Sequence, residues 1–190
     1  MSKLLVLLLL VAPPYSITPN QALMVAQTGL DMIPAKHRPI ISQLHAVTDP
    51  CPGLDSLSDW YRKEECVKLY VARNYHEKVI YHAILPAMLA NGRSYIGGLS
   101  RTCQYRPAFS VSNAIERSIR TNEPRLELSA VIIAHELGHT LGARHDDRYP
   151  NIMHSNAGRL FLDGEPLEWT KKSIRQMNRC QNPALRGGRK

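Results

Sequence analysis

The stretch His135-Glu136-Leu137-Gly138-His139-Thr140-Leu141-Gly142-Ala143-Arg144-His145-Asp146 decides how the rest of this chain is read. His135 and His139 are four residues apart, so on a helix they lie one turn apart on one face, and both imidazoles can reach one tetrahedral ion. Glu136 stands beside them as a carboxylate that is not a ligand, placed to take a proton from a metal-activated water and pass it to a leaving amine. Gly142 falls where the helix must stop, and a residue able to adopt positive φ lets the chain swing round and return His145 to the metal. Three histidines leave the fourth position for water. The competing reading, an amphipathic helix with satisfied surface histidines, needs three histidines, a glutamate and a glycine to fall in register by accident.

The helix carrying this stretch is expected to begin between Glu123 and Ser129. On a helical wheel Ala130, Ile133, Ala134, Leu137 and Leu141 group on one side, with Val131, His135, Glu136 and His139 on another, so one face packs on a sheet and the other looks into a cleft.

Upstream, Leu4 to Ala12 after Lys3 reads in two ways. It is a charged start and a short apolar run, as in a secretory signal peptide over residues 1–16, too short to span a membrane as a helix. Leu4 to Val11 reads equally as a β-strand buried on both faces. The next thirty residues of the chain favour the strand. Thr18-Pro19-Asn20-Gln21 offers a capping threonine, a proline at the first helical position and a glutamine three after the cap. Leu23, Ala26, Leu30 and Ile33 then recur at helical spacing up to Pro34, and Ile40 to Val47 is a second strand candidate. Strand, helix and strand make a crossover unit, which would lose its sheet partner without the first strand. A turn-rich loop from Cys51 to Ser58, a helix over about Asp59 to Ala72, and strands at Val79 to Leu85, Tyr95 to Leu99 and Phe109 to Ile115 complete an α/β order with the sheet made first.

Bulk composition agrees with one globular domain over residues 1–190: hydrophobic residues are 44% and charged residues 21%, so neither a disordered nor a fibrous chain is in question. The net charge of +8 is concentrated partly at the C-terminal end, in Lys171, Lys172, Arg175, Arg179, Arg186, Arg189 and Lys190. Residues 181–190 read as a basic flexible tail, able to contact an anionic matrix or surface; no specific nucleic-acid partner is expected. Cys51, Cys66, Cys103 and Cys180 are an even number with no CxxC pair, which argues for two disulfides and an oxidising compartment, with three connectivities open.

The histidine-glutamate-histidine helix, its glycine and its third histidine resemble the signature of the metzincin zinc metallopeptidases. Asp146, directly after the third histidine, resembles the adamalysin or reprolysin-like branch, the disintegrin-and-metalloproteinase type of catalytic domain. The resemblance runs from about Leu4 to Cys180 and is most specific between His135 and Met153. It implies a zincin-like α/β fold: a mostly parallel five-stranded sheet with an antiparallel edge strand, two packing helices before the zinc helix, and a small C-terminal subdomain ending in a helix. It implies one catalytic Zn2+ held by His135, His139 and His145, with Glu136 as general base and acid. Gly142, Asp146 and Met153 would support the site, Asp146 as a structural anchor and Met153 as the floor of a tight turn, because Asn151-Ile152-Met153-His154 resembles the methionine turn of that clan. Gly97-Gly98-Leu99-Ser100 resembles the edge strand along which members bind extended peptides. The resemblance pairs Cys103 with Cys180, and so implies Cys51 with Cys66. Ser155 stands where astacin-like members place a tyrosine ligand, so that extra ligand is absent, and His154 reads as a loop histidine. The interval from His145 to Met153 is shorter than in typical adamalysins and lacks their local cysteines.

The expectation is therefore a secreted, monomeric zinc endopeptidase acting on extended peptide or protein substrates, with no transmembrane segment. The alternative is a secreted, non-proteolytic binding module that keeps the zinc-site fold. An intact Glu136 argues against it, since such a module has little chemical need for a carboxylate beside an open metal.

Overall fold

The computed structural model of the chain describes residues 5–12, 18–54, 59–75, 79–85, 88–90, 93–95, 98–100, 108–113 and 126–181. Its first element is strand β1 (Leu5–Ala12), formed by the apolar N-terminal run. β1 lies inside the sheet, paired in parallel with β2 (Ile40–Thr48) on one side and with β3 (Ile80–Leu85) on the other. Val6 and Leu8 enter one core, and Leu7, Leu9 and Val11 enter the core on the opposite face. A strand covered on both faces needs apolar side chains at successive positions, which is why the run shows no alternation. Each fully buried leucine contributes about 2 kcal/mol.

The sheet continues from β3 to β7 (Ala108–Asn113), also parallel, and ends at β6 (Gly98–Ser100), which runs antiparallel to β7 at the edge. The full order is β2-β1-β3-β7-β6. A separate antiparallel ribbon is formed by β4 (Met88–Ala90) and β5 (Arg93–Tyr95). The single strand expected over Tyr95 to Leu99 is thus divided: Tyr95 ends β5 in the two-stranded ribbon and Gly98 begins β6 in the main sheet.

Helix α1 (Pro19–Met32) starts as its capping signal requires. The Thr18 hydroxyl accepts from the Gln21 amide at 3.2 Å, and Gln21 Oε1 accepts from the Thr18 amide at 2.9 Å. Its buried face is Ala22, Val25, Ala26, Gly29 and Leu30. Leu23, expected inside, is 40% exposed. The reason is close helix packing: a Cβ on Gly29 would stand 2.7 Å from the carbonyl oxygen of Ala130, so α1 presents its small residues to the segment that carries Ala130 and rotates Leu23 outward. Helix α2 (Trp60–Asn74) covers the other face of the sheet through Val67 and Val71. A Cys51–Cys66 disulfide, Cα to Cα 6.2 Å, ties α2 to the loop after β2. Beside it Lys63 is buried, its ammonium on the Asp49 carboxylate and 2.9 Å from the Cys51 carbonyl.

Helix α3 (Leu126–Thr140) lies on the α1 side, with Ala130, Ile133, Ala134 and Leu137 in the core. Beyond it come a short helix α4 (Ala157–Leu162), not anticipated from the sequence, and α5 (Lys171–Gln181). Gly97, Cys103, the Cys180 side chain and residues 182–190 lie outside the described residues, and with them the expected Cys103–Cys180 pair and the basic tail. Among the described residues no helix is long and apolar enough to cross a membrane.

Candidate metal centre

His135 and His139 sit one turn apart on α3, and the chain then reverses. Gly142, at φ 107°, donates its amide to the His139 carbonyl at 2.8 Å, and Ala143 donates to the Gly138 carbonyl at 2.9 Å. These two bonds are a Schellman motif, which satisfies the last carbonyls of the helix and needs a residue that tolerates positive φ. The reversal carries His145 back over α3. The three Nε2 atoms then lie 3.1 Å (His135 to His139), 3.1 Å (His139 to His145) and 3.3 Å (His135 to His145) apart. Zinc to imidazole bonds of about 2.0–2.1 Å in a tetrahedron put their nitrogens roughly 3.3 Å apart, so the triad fits that ion.

The hydrogen bonds on the far side of each ring fix which nitrogen faces the metal. His135 Nδ1 is 2.6 Å from the Ile152 carbonyl oxygen, and His139 Nδ1 is 2.9 Å from that of Ala143. A carbonyl oxygen can only accept, so both Nδ1 atoms carry hydrogen and both Nε2 atoms present lone pairs. Lone pairs converging at 3.1 Å repel one another and are reconciled by a cation between them. Burial, aided by the neighbouring His139, lowers the His135 pKa to about 3, and burial lowers that of His139 to about 4. Both rings are therefore neutral, the state a metal requires, far below neutral pH.

Below the triad, Met153 is fully buried. A Cβ added to Gly138, between the two helical ligands, would lie 2.7 Å from Met153 Sδ and 2.6 Å from Cη2 of Trp169. The methionine and the indole thus meet α3 at its glycine. Trp169 also donates its Nε1 hydrogen to the Met32 carbonyl at 2.6 Å, joining the C-terminal subdomain to the end of α1. Neither Trp169 nor Gly138 stands out in the sequence as a site residue. A glycine inside an otherwise apolar helix, where alanine costs less, was the available signal.

Asp146 is 3% exposed and holds Arg148 through Nε at 2.8 Å and a second guanidinium nitrogen at 3.1 Å, with Lys172 at 3.4 Å. The Arg148 bond first, then its charge and that of Lys172, hold the carboxyl down to about 2. Its amide donates to the Met153 carbonyl at 3.0 Å, so Asp146 binds the returning loop to the methionine turn. Asp147 accepts from the Ser155 amide at 2.7 Å, and His154 Nδ1 accepts from the Asn156 amide at 3.0 Å, which turns His154 into the loop. Glu136, beside His135 on α3, is buried. β6 lies against α3, bringing the expected substrate edge Gly98, Leu99 and Ser100 to the same helix.

A histidine triad built on a helix and its glycine return, above a buried methionine and beside a mostly parallel sheet, defines a zinc peptidase of the metzincin-like kind. Residues 43–158, more than half of the chain, match the sequence pattern described as Metallo-peptidase family M12, and the chain belongs to that family. Solved structures share the fold. Metalloproteinase-II from Bacteroides fragilis superposes with a TM-score of 0.62 at 13% identity over 94% of this chain, which spans only 53% of that protein. A zinc-dependent peptidase from Methanocorpusculum labreanum gives 0.61 at 12% identity, covering 91% of this chain and 100% of its own. Archaemetzincin from Archaeoglobus fulgidus gives 0.56 at 14%, covering 91% and 99%. No curated protein matches the sequence.

Proposed function

We propose that the chain is a zinc-dependent endopeptidase that hydrolyses internal bonds of extended polypeptides. The observation that carries this reading is the convergence of the three Nε2 atoms within 3.3 Å of one another, with Glu136 next to the first ligand on the same helix. His135, His139 and His145 would hold the zinc, which when bound would supply Lewis acidity to activate a water and polarise the scissile carbonyl. Glu136 takes the proton as the water oxygen adds to the carbonyl carbon, then gives it to the amine nitrogen as the C–N bond breaks. His135 and His139 stay neutral and oriented throughout, because their Nδ1 hydrogens are held by backbone carbonyls.

Substrate would lie along β6, the antiparallel edge strand of the sheet, whose outer side would offer its main-chain groups for strand addition. The loop and helix from Ser155 to Leu162 would wall the pocket for the side chain after the scissile bond. Asp146 favours the adamalysin-like branch. The Cys51–Cys66 disulfide supports secretion into an oxidising compartment, and the supply of all three ligands by one chain supports a monomer. Lys171, Lys172 and Arg175 would lend α5 affinity for anionic surfaces.

The test is Glu136→Gln with a quenched peptide blocked at both ends. Cleavage should fall about 10²–10⁴-fold with zinc retained near one per chain. Turnover at the wild-type rate would end the assigned role, and cleavage only of peptides with a free terminus would end the endopeptidase reading.

A further inference from the structure

The side chain of Asn151 is buried, 2% exposed, and every polar hydrogen and the oxygen of its amide are engaged. Nδ2 donates to the Asp146 carbonyl at 2.7 Å and to the Tyr149 carbonyl at 2.5 Å. Oδ1 accepts from the Met153 amide at 2.8 Å. The orientation of the amide is fixed by these partners, because turning it over would set Oδ1 against two carbonyl oxygens.

The Met153 amide and the Ile152 carbonyl are two ends of one peptide group, and that carbonyl receives the His135 Nδ1 hydrogen at 2.6 Å. We propose that Asn151 is a positioning residue of the metal centre, which sets the orientation and donor strength of His135 through the Ile152–Met153 peptide. The physical step is polarisation. An acceptor on the N–H of a peptide increases the negative charge on its oxygen and so strengthens the bond that oxygen accepts. A stronger Nδ1–H bond makes the far nitrogen a better metal donor and holds the ring in plane. The same side chain reaches the third ligand, since Asp146, whose carbonyl it binds, comes directly after His145. Two ligands from distant turns of chain are thus registered by one buried amide. The inference rests on the zinc centre and not on the role given to Glu136.

Two substitutions that differ by one oxygen separate this relay from simple packing. Asn151→Ser keeps a neutral acceptor two residues before the Met153 amide, the shorter counterpart of the same turn. Asn151→Ala has none. Both lose the Nδ2 bonds to the loop. With zinc affinity read by competition with a chromogenic chelator, Asn151→Ala should bind about 10–100-fold more weakly than wild type, and Asn151→Ser should recover most of that loss. The visible spectrum of the cobalt-substituted protein should shift in Asn151→Ala and return towards wild type in Asn151→Ser, and kcat should fall with KM nearly unchanged. Equal affinities and spectra for the two variants, or an alanine variant that matches wild type, would overturn the relay. If neither variant folds, the wild-type chain decides by NMR. Exchange of zinc for cadmium should move the Met153 amide and the Asn151 side-chain resonances more than the Ile152 amide, which bonds Glu168 at 3.2 Å instead. Movement of the Ile152 amide alone, or of none of them, counts against it. A wild-type chain that takes up no zinc would sink the centre and the relay together, whereas zinc uptake with an unchanged alanine variant sinks the relay only.

Discussion

Placing a methyl group at Gly138 tests the packing beneath the zinc helix more sharply than removal of a ligand. In Gly138→Ala the new Cβ would lie 2.6 Å from Trp169 Cη2 and 2.7 Å from Met153 Sδ. Ordinary carbon contacts are about 3.5–4.0 Å, so roughly 1 Å must be found on two sides at once. The methionine can bend away, but the indole is anchored by its 2.6 Å bond to the Met32 carbonyl, and moving it costs that bond, about 1 kcal/mol. Overpacking costs about 1–3 kcal/mol in its own right. Against this stands the gain of alanine over glycine in a helix, about 1 kcal/mol. The balance is a net loss of about 1–3 kcal/mol, or a Tm lower by roughly 2–10 °C for a domain of this size. Urea unfolding of the zinc-loaded protein measures it directly. Gly138→Ala combined with Trp169→Phe should lose less than the sum of the single losses, because the smaller ring makes room. A Gly138→Ala protein as stable as wild type, or strict additivity in the pair, would refute the wedge.

Starting the chain at residue 13 should abolish folding and zinc uptake, as it removes a strand paired on both sides; a folded, zinc-binding product by circular dichroism and metal analysis would restore the leader-peptide reading. Replacing Cys51 and Cys66 by serine should cost about 3 kcal/mol in urea unfolding for a loop of 15 residues while zinc content stays near one per chain, because α2 packs on the sheet face away from α3. For the metal-free protein, burial lowers His135 and His82 from 6.5 to about 3 and His139 to about 4. The unfolded chain therefore takes up these protons first, and stability should fall as pH drops from about 6.5 towards 3–4. Asp146, lowered from 3.8 to about 2 by Arg148, should remove a further contribution as pH falls through that lower window. A metal-free Tm that is level between pH 7 and 4 would refute the assignment for the histidines.

How much of this was legible in the chain depends on the range of the interaction that carries it. The ligand spacing, the Gly142 reversal and the Thr18–Gln21 box relate residues at most ten apart, and each is written in a local pattern. Leu5–Ala12 was less legible, because a leader peptide and a strand covered on two faces are both continuous apolar runs, and its partners β2 and β3 lie far along the chain. Leu23 was misplaced for a related reason. Helical period tells which residues share a face, and a close approach at Gly29 decides which face turns inward.

The sequence by itself determined the chemistry of the centre: three histidines at helix and turn spacing, a glutamate beside the first, and a glycine where the backbone must take positive φ. Local backbone geometry suffices for that, since a hydrogen-bonded turn sets the direction of side chains three and four residues apart. Only the tertiary structure decided what holds the centre in place. The Trp169 bond to Met32 joins residues 137 apart, the wedge at Gly138 draws on two later segments, and Asn151 reaches His135 through a peptide that neither residue names in the sequence. Such contacts depend on which surfaces meet once α1, α3 and the C-terminal subdomain are packed, and no periodicity in the chain records that.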